Sequence, residues 1–277
     1  MTDSLDGVRD HYRADGLTGR LRAALAALGP ADRPLVPQQL AALDQFHTRG
    51  LAATTELAAL AGIGAEMAVL DVGSGVGGPA RLVAATCGCR VTGVDLSEAF
   101  VEAARYLTER TGQGGRVSFQ TASALALPFA DGSFDVVLLQ HVAMNIADRA
   151  RLYGEIRRVL RAGGRFAIFD VVSTGAEPHY PLPWARTPAT SFLLTAAATR
   201  AAIEAAGFRA LVWRDDSEAA RAWAAQFRAA PPPASPSLNL GVVMGPDFAA
   251  LAANMGRSYL EGRLGVVTAV FEAATGA

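Results

Sequence analysis

Lysine is absent from this chain of 277 residues, and all 25 strongly basic side chains are arginine. That excludes chemistry built on a lysine: no Schiff base and no phosphate loop closed by a lysine. Cysteine is scarce, with Cys87 and Cys89 alone. A single Cys-x-Cys pair makes neither a disulfide framework nor a zinc site. The four histidines, His11, His47, His141 and His179, stand at no metal-ligand spacing, so no metal is expected. Surplus charge is lacking too: the net charge is −1, and nucleic acid is not an expected partner. No apolar run reaches the roughly 18 residues of a membrane span. The first residues lack the basic and apolar regions of a secretory leader. No membrane association and a cytoplasmic location are the expectations.

What is present is apolar: 51% of residues are hydrophobic, enough for one large core or two modest ones. Residues 1–66 read as helical. Leu17, Leu21, Leu25 and Leu28 form one stripe, Pro30, Pro34 and Pro37 interrupt the chain after it, and a second helix covers 51–60. This segment has too few apolar residues for its own core, so it is expected to cap the remainder, 67–277. Residues 67–172 alternate apolar runs (68–72, 90–94, 117–121, 134–139, 166–171) with helical stretches (79–86, 97–111, 149–161). The series predicts an α/β fold with a parallel sheet covered on both faces. Beyond it, 173–190 is a Pro-rich stretch holding His179, Tyr180 and Trp184, expected to form a lid loop. A helix over 195–206, a strand over 208–213, a linker at Pro231 to Pro233, a helix over 247–261 and a last strand over 264–271 complete the chain.

The strongest local signal is Val69-Leu70-Asp71-Val72-Gly73-Ser74-Gly75-Val76-Gly77-Gly78. A buried strand enters a glycine turn and leaves as a helix opened by Pro79. Such a turn lets a ligand approach the backbone, and the helix N-terminus offers free N–H groups. The loop fits two cofactors. Gly73, Gly75 and Gly78 satisfy the dinucleotide spacing, while Gly73, Gly75 and Gly77 satisfy a D-x-G-x-G-x-G loop. Asp95, ending the second strand, could bind ribose in either. Asp71 favours the second, because dinucleotide folds usually keep an apolar residue there.

Two further stretches come later, in order: Leu127-Pro128-Phe129-Ala130-Asp131-Gly132-Ser133-Phe134-Asp135-Val136-Val137 and Glu155-Ile156-Arg157-Arg158-Val159-Leu160-Arg161-Ala162-Gly163-Gly164-Arg165. With the glycine loop they resemble the class I S-adenosylmethionine (SAM) dependent methyltransferases over residues 67–172. The segment from Asp44 to Thr54 is similar to the one before the core in the sarcosine/dimethylglycine and phosphoethanolamine N-methyltransferases. The resemblance implies a Rossmann-like seven-stranded sheet with its last strand antiparallel. It implies SAM as cofactor and S-adenosylhomocysteine (SAH) as product. Asp71, Gly73 and Gly75 would hold the amino-acid end. Asp95, beside Leu96, would hold the ribose, and Ser123 with Ala124 would stand near the adenine, where the family often has Asp-Ala. Thr48 and Gly50 would touch the methionine end, with Arg49 where the family has a glycine.

Methyl transfer from a sulfonium is an in-line displacement, so alignment and exclusion of water matter most. A base is needed only if the acceptor arrives protonated. Candidates lie beyond the carboxyl ends of the strands: His141 after the fourth and Asp170 at the end of the fifth, with Gln140, just before His141, a candidate cofactor contact. His47 and Tyr12 would come from the helical cap. The leading expectation is a small-molecule methyltransferase, monomeric or homodimeric. A SAM-binding enzyme of the same fold with cyclase-like, non-methylating activity is the alternative, followed by a nicotinamide oxidoreductase and a non-catalytic binding module.

Overall fold

A computed structural model describes residues 16–26, 33–229 and 238–274. Seven strands form one sheet in the order β3-β2-β1-β4-β5-β7-β6. They are β1 (Ala68–Val72), β2 (Arg90–Asp95), β3 (Val117–Thr121), β4 (Phe134–Gln140), β5 (Leu160–Ser173), β6 (Phe208–Asp215) and β7 (Leu264–Ala273). β1 to β5 pair in parallel. β7 enters last, antiparallel between β5 and β6. This is the expected seven-stranded sheet, and the order reverses beside β1, where α/β sheets open a crevice at the strand carboxyl ends.

Both faces are buried, which is why the strands read as continuous apolar runs. In β1, Val69 joins the cluster beneath helices α3 (Gly50–Leu60) and α4 (Gly78–Cys87), with Leu57 and Val83. Leu70 and Val72 join the opposite cluster, with Leu152 and Ile156 of α6 (Arg149–Val159). Ser97 opens α5 (Glu98–Arg110) by accepting from the N–H of Phe100 at 3.4 Å, the preferred N-cap chemistry.

Helices α1 (Leu17–Ala26) and α2 (Pro37–Asp44) share a third cluster with the body. Leu17, Leu21, Leu25, Leu40 and Leu43 pack with Phe100, Ala103 and Leu107 of α5. Pro37, expected to interrupt, instead opens α2, a position where its missing N–H costs nothing. Leu28 and Tyr12 lie outside the described residues. After β5 come α7 (Ala196–Ala205), α8 (Ser217–Ala229), the single turn α9 (Gly241–Met244) and α10 (Phe248–Leu260). Helix α8 carries little apolar signal, because its buried stripe is only Ala220 and Ala224. Among the described residues no helix is long and apolar enough to cross a membrane, and no His/Cys/Asp/Glu cluster could hold a metal.

Candidate active site

The glycine loop leaves β1 with Gly73 and Gly75 at φ of 73° and 52°. The N–H groups of Gly73 and Ser74 both donate to the Val94 carbonyl, at 2.8 and 2.9 Å, tying the loop to β2. A Cβ on Gly73 would lie 2.4 Å from Val142 Cγ2, so glycine there admits the turn after β4. A Cβ on Gly78 would lie 2.2 Å from the Asp44 carbonyl oxygen. Glycine at 78 thus lets the end of α2 seat on the loop.

A cavity opens beyond this loop, with Asp71, Gly73, Ser74, Gly75, Asp95 and Leu96 on one side. The Asp95 carboxylate accepts from Gly75 N (2.9 Å) and from Ser97 N (2.9 Å), one bond to each oxygen. Each oxygen keeps a lone pair for a ligand hydroxyl. Asp71 is buried, and its Oδ2 has no hydrogen-bond partner among the described residues. Burial, then the Asp95 charge, pushes its carboxyl up to about 7 against the pull of Arg81. Ser74 Oγ and Gln140 Nε2 are likewise buried without partners there, and both residues line the cavity. Three orphaned polar atoms on residues lining one cavity are what a polar ligand would satisfy, and the residues present fit SAM. Ser123 and Ala124 also line the cavity, and Ser123 Oγ accepts from Leu125 N at 3.2 Å.

His47 and His141 meet edge to face, 6.0 Å apart, on the cavity wall. His47 Nδ1 lies 3.1 Å from the Thr48 carbonyl. A carbonyl only accepts, so Nδ1 carries the proton and Nε2 accepts from Thr54 Oγ1 at 3.0 Å. Burial pulls His47 down to about 4. His141 has a left-handed backbone (φ 54°) and stacks on Phe169 at 5.2 Å. Burial, then His47, pulls its imidazole well below the ordinary range. Both rings are therefore neutral near pH 7.

The remaining candidates are placed elsewhere. Thr48 is fully buried behind the wall, its hydroxyl 3.4 Å from His141 Nε2. Gly50 starts α3 and is not part of the cavity lining. Asp170 is buried and does not line the cavity either. Its carboxylate accepts from Ala143 N (3.1 Å) and Val171 N (3.0 Å). It therefore caps the turn after β4. In the lid stretch, Pro183 and Trp184 line the cavity, whereas His179 turns outward to Glu261, 2.7 Å away.

Two features of the site have no counterpart among the sequence expectations. Arg81, fully buried, pairs with Asp44 at 2.8 Å and donates to the Val76 carbonyl at 2.7 Å. It pins α2 to the glycine loop. The rest of the cavity lining is largely apolar and includes Phe46, Met144, Trp184, Met244, Phe248 and Met255, with Phe46 seated against Gly75. Those of α9 and α10 are more than 150 residues from the loop, and no short motif marks them.

Residues 70–168 match the methyltransferase domain family. The chain is 39% identical over 133 residues to Methyltransferase GfsG of Streptomyces halstedii, covering 48% of each protein. It spans about a third to a half of the length of the first curated relatives it matches. Among solved structures, the [4+2]-cyclase SpnF superposes with a TM-score of 0.67 at 24% identity, covering 94% of this chain and 93% of that one. Phosphoethanolamine N-methyltransferase 2 of Haemonchus contortus, in complex with SAM, gives a TM-score of 0.68 at 18% identity, covering 97% of this chain and 60% of that one. The chain has the class I SAM-dependent methyltransferase fold, and its residues 70–168 match the methyltransferase domain family.

Proposed function

We propose that the protein transfers a methyl group from SAM to a small, largely apolar acceptor. The observation that carries this is the mixed lining of the cavity. Asp71, Ser74 and Gln140 contribute buried polar atoms without partners among the described residues, and aromatic and methionine side chains make up much of the rest. Asp95 would accept from the ribose hydroxyls. Asp71 and the Gly73 to Gly75 backbone would hold the amino-acid end, with Leu96, Ser123 and Ala124 around the adenine. SAM supplies an activated methyl on a sulfonium.

What the chain supplies is position. Phe46 and Trp184, carried by the cap and the lid stretch, close the cavity and exclude water. Met244 and Met255 are flexible and polarizable, suited to a hydrophobic acceptor of irregular shape. The acceptor proton has no ionised carboxylate waiting for it, since Asp170 is turned to the backbone. Neutral His141 is a weak acceptor of that proton, so the reading favours catalysis by alignment.

The packing of α1 and α2 on α5 supports residues 1–66 acting as a cap on the 67–277 core. The same reading has the enzyme working in the cytoplasm as a monomer or homodimer, without nucleic acid. Calorimetry with SAM and SAH tests the cofactor. Asp95→Ala should cost about 1.5–3 kcal/mol of SAH binding, the scale of a lost charge-assisted hydrogen bond. No heat from wild type with either ligand at millimolar concentration would overturn the proposal. Mass spectrometry of candidate apolar acceptors, read for the gain of one methylene, tests the transfer. SAM binding with product formed and no such gain would mean a non-methylating enzyme.

A further inference from the structure

Arg49 stands where the chain turns from α2 into α3, between Thr48, in contact with His141, and Gly50. Its φ is +63°, a conformation that a residue with a Cβ adopts reluctantly and glycine adopts freely. The side chain explains the choice of arginine. Its Nη2 donates to Glu56 Oε2 at 2.9 Å, and its Nη1 lies 3.7 Å from Asp216 Oδ2. Arg214, at the end of β6, closes the square. It reaches Glu56 Oε1 at 2.8 Å and grips both oxygens of Asp216, at 2.6 and 2.8 Å. Thr268 of β7 also donates to Asp216. Two arginines and two carboxylates thus join the cap to the β6–β7 edge of the sheet, and the Asp216 side chain is only 8% exposed. Burial alone would raise the Asp216 carboxyl, but the Arg214 fork and the Thr268 hydroxyl outweigh it and hold it low.

We propose that Arg49 is a positioning residue for the cofactor cavity: the four-charge cluster anchors the turn whose neighbouring residues, His47 and Thr48, build and back the His47–His141 wall. A forked guanidinium can address two carboxylates at once, as a point-charge ammonium cannot. Arg49 touches neither cavity nor ligand, and acts through the two residues before it.

The inference rests on the cavity being the SAM site, and SAH is the probe. Arg49→Gly removes the side chain while leaving the left-handed backbone at ease, so lost anchoring is separated from strain. SAH affinity should fall about 2- to 30-fold, the range of couplings carried through packed networks. Glu56→Gln, nearly isosteric, should reproduce part of the loss. A merely stabilising cluster would lower the melting temperature and leave SAH affinity within twofold of wild type; that result overturns the proposal. Should wild type itself fail to bind SAH, the proposed function fails separately. Amide exchange at residues 47–50 of the ligand-free protein then decides the anchor: about tenfold faster exchange in Arg49→Gly sustains it, and unchanged exchange refutes it.

Discussion

Asp71 carries a carboxyl that folding makes costly, and Asp71→Asn measures how costly. Its ordinary value of 3.8 is pushed up to about 7 by burial and by Asp95. A shift of about 3 units is worth about 4 kcal/mol between the two protonation states. The folded value is the raised one, so the folded state holds the proton more tightly. Its contribution to stability is full below about pH 4 and is lost as pH rises through about 7. Asparagine does not titrate, and its own unpartnered amide costs about 1–3 kcal/mol at any pH. The difference between two pH values cancels that constant. From about pH 5 to about pH 8, the stability of Asp71→Asn relative to wild type should rise by about 2–3 kcal/mol. Urea unfolding of the ligand-free proteins at both pH values reads it directly. SAH binding should move the other way, because the amino-acid end loses its counter-charge. Stability forgone at a site that gains affinity is the usual trade at functional positions. A relative stability independent of pH would refute the raised carboxyl.

Arg81→Met leaves Asp44 buried without its partner and should cost about 3–5 kcal/mol of unfolding free energy. The double variant Arg81→Met with Asp44→Leu should recover much of that; a single variant as stable as wild type would remove the pair as the pin of α2. Asp170→Asn exchanges an acceptor oxygen for a donor beside backbone N–H groups and should lower the melting temperature, while SAH affinity stays near wild type. His141→Ala should reduce turnover of an identified acceptor more than it reduces SAH affinity, and a collapse in SAH affinity instead would make His141 part of the cofactor contact.

The cofactor side was legible because it is local. Asp71, Gly73 and Gly75 sit on one strand–turn–helix unit, and Asp95 ends the strand paired beside it. The two later motifs were legible for a structural reason, since they bind each other. Arg158 donates to the carbonyls of Leu127 and Phe129 and to Asp131, and Glu155 accepts from Leu127 N. Residue types at those positions are set by that network and not by the chemistry of transfer. The orientation of Asp170 was not legible, because position at a strand end says where a carboxylate begins, not where its oxygens point. The backbone N–H groups after β4 claim them. Arg81 was missed because a lone arginine inside an apolar helix carries no spacing signal, and its meaning depends on Asp44, 37 residues away.

The acceptor wall was illegible for a different reason, and the reason bears on function. Phe46 comes from the cap, Trp184 from the lid stretch, and Met244, Phe248 and Met255 from α9 and α10. Each is an ordinary core-type residue in its own segment, and only the closed fold brings them to one cavity with the polar groups. Met144 apart, these apolar lining residues lie outside residues 70–168, the part that matches the methyltransferase family. Relatives alike across that domain therefore share the side of the cavity that would hold the cofactor. On the proposed function the acceptor would meet parts of the chain outside that match, so acceptor preference should follow α9, α10 and Trp184, and exchanging those residues should change which acceptor is methylated while SAH affinity stays near wild type.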